Sequence, residues 1–129
     1  DQPRSRGLGD VYKRQARKLA AFRPLVYICS PYRGNTNENI ENARKYSRFA
    51  VIHHSIPIAP HLLFPQFLDD TLGEERQTAM FMNHVLLTKC VELWVFGSSI
   101  SEGMEQEIRW AKRRHMPIRY FTEEMEEVV

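Results

Sequence analysis

A three-layer α/β sandwich around a parallel sheet of four or five strands is the fold this sequence predicts, on three observations. Short apolar runs alternate along the chain with longer segments of helical period, the order that βαβ crossovers impose. The runs Leu25-Val26-Tyr27-Ile28-Cys29 and Leu93-Trp94-Val95-Phe96 are apolar at nearly every position, as strands buried on both faces must be. The second run stops at Gly97, turns through Ser98, Ser99 and Ser101, and enters an amphipathic segment at Gly103, which makes a strand, a loop and a helix N-terminus in succession. At such junctions α/β proteins bind phosphates, because free backbone N–H groups point out of the first helical turn.

Residues 1–15 show no sustained periodicity and hold two glycines and a proline. The run resembles a translated sequencing-adapter tail and is read as lying outside the fold, either non-native or a disordered basic arm. Residues 16–129 then form a single domain, opened by a short helix over 16–23. Strand one, 25–29, ends in the loop Ser30-Pro31-Tyr32-Arg33-Gly34-Asn35. Over residues 37–55, Ile40, Ala43, Ser47, Ala50 and Val51 recur at helical spacing and predict the first crossover helix. Residues 57–60 are a second, short strand bracketed by prolines, and residues 61–70, without a clear period, form a loop with one helical turn. A second helix over 74–90 carries Met80, Phe81, Val85 and Leu86 inward. Strand three (92–96), helix three (103–115) and strand four (117–121) follow, and an acidic tail over 123–127 closes the chain. Right-handed crossovers place ligands at the carboxyl ends of the strands, as in Rossmann- and flavodoxin-like folds. The loops 30–35 and 97–103 therefore share one edge.

At 129 residues, 43% hydrophobic and 26% charged, the composition is that of one soluble globular domain. The net charge of +2 conceals an asymmetry. Residues 1–23 hold seven Lys/Arg against two Asp (+5), while residues 24–129 hold eleven against fourteen acids (−3). A mildly acidic domain lacks the clustered cations that a nucleic-acid polymer requires. Cys29 and Cys90 are too far apart for a CxxC site and are expected as buried thiols in a reducing compartment. No apolar run approaches a membrane span or a signal-peptide core, so the expected location is the cytoplasm, away from membranes.

Two residue sets carry a family resemblance. Ser101-x-Gly103-x-x-x-Glu107 is similar to the Ser-x-Gly-x-x-x-Glu run of the 2'-deoxynucleoside 5'-phosphate N-hydrolases, members of the nucleoside 2-deoxyribosyltransferase superfamily. That resemblance implies Glu107 as nucleophile, with Ser101 and Gly103 holding a 5'-phosphate. Cys29-Ser30-Pro31-Tyr32-Arg33-Gly34 resembles the first loop of that family, whose arginine-glycine pair lines the nucleotide site. His61 matches a pocket histidine, and Ser30, Tyr32, Gly97 and Met104 complete the expected substrate-binding set. From Val26 to Phe121 the chain is also similar to small uncharacterised bacterial and phage members of the superfamily, through Ser30–Gly34, Pro57–Leu62 and Ile100–Met104. Two departures stand out. In Cys90-Val91-Glu92-Leu93-Trp94, Val91 occupies a position where the family commonly has an acid that helps the catalytic carboxylate. Ser101 stands where transferases of free nucleosides have an aspartate, which favours a phosphorylated ligand.

The chemistry fits these residue types. Cleaving an N-glycosidic bond develops oxocarbenium charge on the sugar, which a carboxylate below the ring can stabilise or trap as an ester. Glu107 shares a helical stripe with Met104, Ile108 and Ala111, nearer the buried face than Glu105, and its position near a helix N-terminus is expected to favour the ionised form. Against this stands the ordinary helix-surface glutamate. Arg33 has the donor fork for a phosphate clamp, though a solvated loop arginine is equally expected. Ser101 can cap the helix and meet the anion together. For His61 a ligand contact and a structural role weigh about evenly. Tyr32, Phe64, Phe67 and Phe96 can stack on a base, with core packing the safer reading for each. Asp69-Asp70 can reach the site or a neighbouring subunit, though a solvated loop pair is the default reading. His53 and His54 point apart on a helix and no HExxH occurs, so neither metal nor cofactor is expected.

The expectation is an N-glycosidase-like enzyme that binds a nucleotide or nucleoside 5'-monophosphate and hydrolyses, or transfers, its N-glycosidic bond. Its pocket is completed across a homodimer or larger homo-oligomer, as the resemblance implies. The alternative is a non-catalytic protein that sequesters a nucleotide signal in a phage–host contest, which Val91 favours. A third reading is a domain that docks a protein partner.

Overall fold

Successive residues of Leu25–Cys29 point to opposite sides of the sheet, and each side is covered by its own helix layer. The computed structural model describes residues 9–15 and 23–129, of which 9–15 form an exposed helical segment. The rest of the expected tail, and the helix expected over 16–23 apart from Arg23, lie outside the described residues. In chain order the elements are β1 (Leu25–Cys29), α1 (Thr36–Ile52), β2 (Ile56–Ile58), two 3-10 turns (Pro60–Leu62 and Phe64–Gln66), α2 (Gly73–Thr88), β3 (Glu92–Phe96), α3 (Glu102–Arg113), β4 (Ile118–Phe121) and β5 (Glu127–Val128).

The sheet has five strands in the order β2-β1-β3-β4-β5. This is the flavodoxin-like order, with its switch point between β1 and β3. β1 pairs in parallel with β2 and β3, and β3 with β4. The expected all-parallel sheet is corrected at one edge: the acidic tail turns at Met125 (φ 65°) and returns as β5, antiparallel to β4. Arg119 of β4 holds Glu127 of β5 through two hydrogen bonds of 2.9 and 2.7 Å, so the tail's charge secures the edge.

One face of the sheet presents Val26, Ile28, Trp94, Phe96 and Phe121 to Tyr46 and Ala50 of α1. Phe96 stacks on Tyr46 with ring centroids 4.2 Å apart and is committed to this core, away from any ligand. The other face presents Tyr27, Cys29, Leu93 and Val95 to Leu87 of α2 and to Met104 and Ala111 of α3. Three layers result. Cys29 and Cys90 are both buried free thiols.

Two helices end earlier than their periodicity predicts, for the same reason. His54 (φ 59°) and His115 (φ 57°) adopt the left-handed conformation, and Ser55 N–H then bonds Ala50 C=O while Met116 N–H bonds Ala111 C=O, each at 2.9 Å. These are Schellman closures, which terminate the helix whatever apolar residues follow. The inward faces also differ from expectation. α1 buries Tyr46 beside Ala43 and Ala50 and leaves Val51 exposed, and α2 buries Asn83 and Leu87 while Phe81 and Val85 face outward. Apolar residues lie on both sides of α2, so periodicity reveals the helix but not its buried face.

Because β1, β2 and β3 run in parallel, Tyr27 lies opposite Ile58 and Cys29 opposite Val95, and all three strands release their chain at one edge. The loops after them converge there.

Candidate active site

The loop after β1 is fixed from its own helix: Asn39 of α1 donates from Nδ2 to the carbonyls of Tyr32 and Arg33, at 3.0 and 3.1 Å. Gly34 turns the chain with φ +94°, a conformation in which a side chain is strained. The Arg33 guanidinium then reaches across to Asp70, with Nε 3.0 Å from Oδ2 and Nη2 3.1 Å from the carbonyl oxygen. The acidic pair read as solvated is therefore in part the partner of the predicted clamp. Tyr32 stacks on His61, which opens the loop after β2, with centroids 5.0 Å apart. Desolvation pushes the His61 pKa down to about 4 against the opposing effects of a backbone hydrogen bond with Ser30 and of Asp70. His61 is accordingly neutral at neutral pH.

α3 begins at Ser101, whose Oγ accepts the Met104 N–H at 3.3 Å as an N-cap. A Cβ at Gly103 meets nothing within 4 Å, so this first turn stays open toward whatever lies above it. Two turns of α3 carry Met104, Glu107 and Ala111 inward, while Glu102 and Glu105 remain exposed. Glu107 is only 3% exposed, which sets it apart from an ordinary surface glutamate.

The Glu107 carboxyl is held from beneath by β1. Tyr27 Oη donates to Oε2, the Cys29 thiol lies against the same group, and Oε1 has no partner. Burial pushes its pKa up to about 7, while the hydrogen bonds from Tyr27 and Cys29 pull in the opposite direction. The expected ionising effect of the helix N-terminus does not prevail, because Glu107 lies beyond the first turn, where the dipole has faded, and is stripped of water. Tyr27 and Cys29 are pushed well above their usual values, chiefly by burial and then by Glu107, so both stay protonated.

A cavity of about 310 Å³ opens over this carboxyl, near the lower end of the ~300–1,000 Å³ common for small-molecule sites. It brings together Tyr32, Arg33, His61, Ser101, Gly103, Met104 and Glu107 of the predicted set. Ser30 is buried beneath the loop and does not line it, and neither do Gly34 and Gly97. Gly97 (φ +97°) faces Glu123 instead, whose Cγ lies 3.6 Å from where a Cβ would stand. Of the aromatics, Phe64 lines the cavity beside Tyr32, whereas Phe67 does not.

The fourth wall is α2, through Arg76, Ala79, Met80 and Asn83. Asn83 is absent from the sequence expectations. The signal for it is a polar residue at helical spacing from Met80 and Leu87, on the stripe that packs inward. It is 6% exposed and its Oδ1 has no partner. Val91 is half exposed at the amino end of β3, bonded through its N–H to the Leu25 carbonyl, and does not line the cavity. Among the described residues no group of three or more His, Cys, Asp or Glu is placed to hold a metal ion, and no helix is long and apolar enough to cross a membrane.

Comparison with known proteins gives a family match and matches among solved structures. Residues 24–121 match a family described as "Domain of unknown function (DUF7768)". Among solved structures, the fold is similar to that of a 2-deoxyribosyltransferase from the psychrotolerant bacterium Bacillus psychrosaccharolyticus, an enzyme described as a biocatalyst for nucleoside synthesis. The TM-score is 0.64 at 13% identity, over 81% of this chain and 76% of that one. At that identity the likeness is one of fold. The search of curated proteins gives no match.

Proposed function

This chain belongs to the DUF7768 family, and from that premise we propose that it binds a nucleoside 5'-monophosphate and hydrolyses its N-glycosidic bond, with Glu107 as nucleophile. The observation that carries the reading is a single one: a carboxyl buried to 3% exposure in the wall of a cavity whose rim is a helix N-terminus, one oxygen held by Tyr27 and the other unpartnered. The likeness of fold to a 2-deoxyribosyltransferase supports glycosyl chemistry at a nucleoside.

In this reading Arg33, Ser101 and the open first turn at Gly103 receive the phosphate, and Tyr32 or Phe64 lies against the base. Met104 packs beneath the sugar, while neutral His61 steadies the Tyr32 ring. Oε1 of the ionised Glu107 bonds to the anomeric carbon as the C–N bond breaks and its electron pair leaves with the base. Water then opens the ester, its oxygen and one proton forming the anomeric hydroxyl of the sugar, its other proton going to the base, and Glu107 returning as a carboxylate, so the net reaction consumes one water. Tyr27 fixes the carboxyl and lowers its pKa toward the working range. The active form is proposed to be a homo-oligomer.

The test is to incubate the protein with a panel of nucleoside and 2'-deoxynucleoside monophosphates and follow free base by chromatography. Release by the native protein, lost in Glu107→Ala, supports the reading. Release unchanged in that variant overturns the nucleophile. A second reading, a non-catalytic protein that sequesters a nucleotide, draws on the same raised pKa, which leaves about half the carboxyl protonated and unreactive at pH 7. Tight binding without base release at pH 8, where Glu107 is ionised, would favour it.

A further inference from the structure

We propose that the sugar held in this cavity is of the ribose class, its vicinal diol shared between two walls, with Glu107 reading the 2'-hydroxyl that a 2-deoxy sugar lacks and Asn83 holding the 3'-hydroxyl. The inference rests on the nucleotide reading of the cavity and goes on to name its sugar.

Among the described residues, the buried side-chain atoms without a hydrogen-bond partner are Ser30 Oγ, Asn83 Oδ1 and Glu107 Oε1. The last two belong to side chains that line the same cavity, one from α2 and one from α3, both more than nine-tenths buried. The large majority of buried side-chain polar atoms find a partner, and a missing one is costly. Two in one wall, supplied by two different helices, require an explanation.

Arg76, Tyr32 and Ser101 also line the cavity, but no donor of the wall bonds either oxygen. Ala79, Met80, Met104 and Phe64 are apolar, and His61 is engaged with the Ser30 backbone. Arg33 is turned to Asp70 at the rim. Donors must therefore arrive with the ligand, and two acceptors call for two of them.

A 5'-phosphorylated 2-deoxyribose has one free hydroxyl, whereas ribose has two on adjacent carbons. The 2'-hydroxyl sits on the carbon next to the anomeric one, so an oxygen aimed at the anomeric carbon also lies within its reach, as in glycosidases that bind a 2-hydroxyl. The neighbouring hydroxyl falls to Asn83. A hydroxyl both donates and accepts, so it satisfies either end of the amide. The terminal torsions of Asn and Glu are soft, and each oxygen can turn onto an arriving hydroxyl without leaving its rotamer. An amide at position 83 also avoids a second buried carboxylate in the cavity that Glu107 lines.

The experiment compares matched pairs, AMP with dAMP, CMP with dCMP, GMP with dGMP and UMP with dUMP, by melting shift and by base release at pH 8. The ribose member of the accepted pair is expected to lead by about ten-fold or more in kcat/KM or Kd, the effect of one hydrogen bond to a charged or buried group. In Asn83→Leu, and in Asn83→Ser if the first does not fold, both members of the pair are expected to weaken alike, by about ten-fold, because the 3'-hydroxyl is common to them, while the ribose-to-deoxyribose ratio stays near that of the native protein. Unchanged binding of both members would overturn the contact of Asn83 with the sugar. Equal or better handling of the deoxy member by the native protein overturns the inference and leaves the nucleotide reading standing. No response to any member of either series overturns both.

Discussion

Tyr27 Oη donates a 2.5 Å hydrogen bond to Glu107 Oε2 across 80 positions of the chain, tying the middle of β1 to the second turn of α3 beneath the cavity. Removing the donor alone, as Tyr27→Phe, takes away an effect that lowers the Glu107 pKa, so that pKa rises above about 7. Base release requires the carboxylate, and its acid limb is expected to move to higher pH in the variant while the plateau at alkaline pH changes less. A pH–rate profile of both proteins measures this. An unmoved limb would mean that Glu107 is not the group titrating.

The same carboxyl makes stability depend on pH in an unusual direction. Its folded pKa of about 7 lies above the ordinary value of 4.5, so the folded state holds more protons than the unfolded one between those limits. Stability from this group is full below about pH 4.5 and is lost as pH rises through 7, a loss on the order of 3 kcal/mol. His61 acts oppositely: its folded pKa of about 4 lies below 6.5, so its contribution is present above 6.5 and lost as pH falls through 4. Glu107→Gln removes the first effect. The variant is expected to melt above the native protein at pH 8, by on the order of 10 °C, with little difference at pH 4.5. Thermal melts across pH 4–8 check it, and they should also expose in the variant the rising slope due to His61.

Much of this site is legible in the sequence because it is built from local signals. Gly97 to Gly103 marks a strand end and a helix start, and the spacing to Met104 and Ala111 sets Glu107 on the buried stripe. The alternation of β1 and β3 yields two faces in the same way. What the sequence hides is what long-range packing decides. Tyr27 reads as a core strand residue until α3 brings a carboxyl to it, and Asn83 reads as one more polar residue until the inward face of α2 is known. The pKa of Glu107 is misjudged from sequence for a related reason: a helix dipole is a local property, but desolvation depends on what the rest of the chain places overhead.

Arg33 and Asp70 meet at the cavity rim with side chains 53% and 35% exposed, and an ion pair so wetted contributes about 1 kcal/mol or less to stability. Its effect is expected in binding. Asp70→Asn releases the guanidinium from a competing charge and should tighten a nucleoside monophosphate several-fold, whereas Arg33→Ala should weaken it by roughly ten-fold or more. Neither change should alter the affinity for the same nucleoside without its phosphate. Calorimetric titration of the two ligands against each variant separates a phosphate contact from a general loss of the site, and an equal effect on both ligands would remove Arg33 from the clamp.

α2 carries a second message on its outer face. Phe81 is 69% exposed and Val85, one turn on, 41%, while the opposite face of the same helix supplies Arg76, Met80 and Asn83 to the cavity. Scattered apolar residues are normal on protein surfaces, but a large aromatic and a branched aliphatic at i and i+4 form a continuous ridge suited to helix packing. A second copy of the chain seated on this ridge would lie against the helix that walls the cavity, which fits the proposed homo-oligomer. Phe81→Glu places a charge on the ridge and removes no core contact, so the fold should survive while the assembly does not. Sedimentation equilibrium is expected to give a dimer or larger species for the native protein and a monomer for the variant, both with similar melting of the isolated domain at low concentration. A native protein that sediments as a monomer at high micromolar concentration would leave the ridge as ordinary surface and confine the site to one chain.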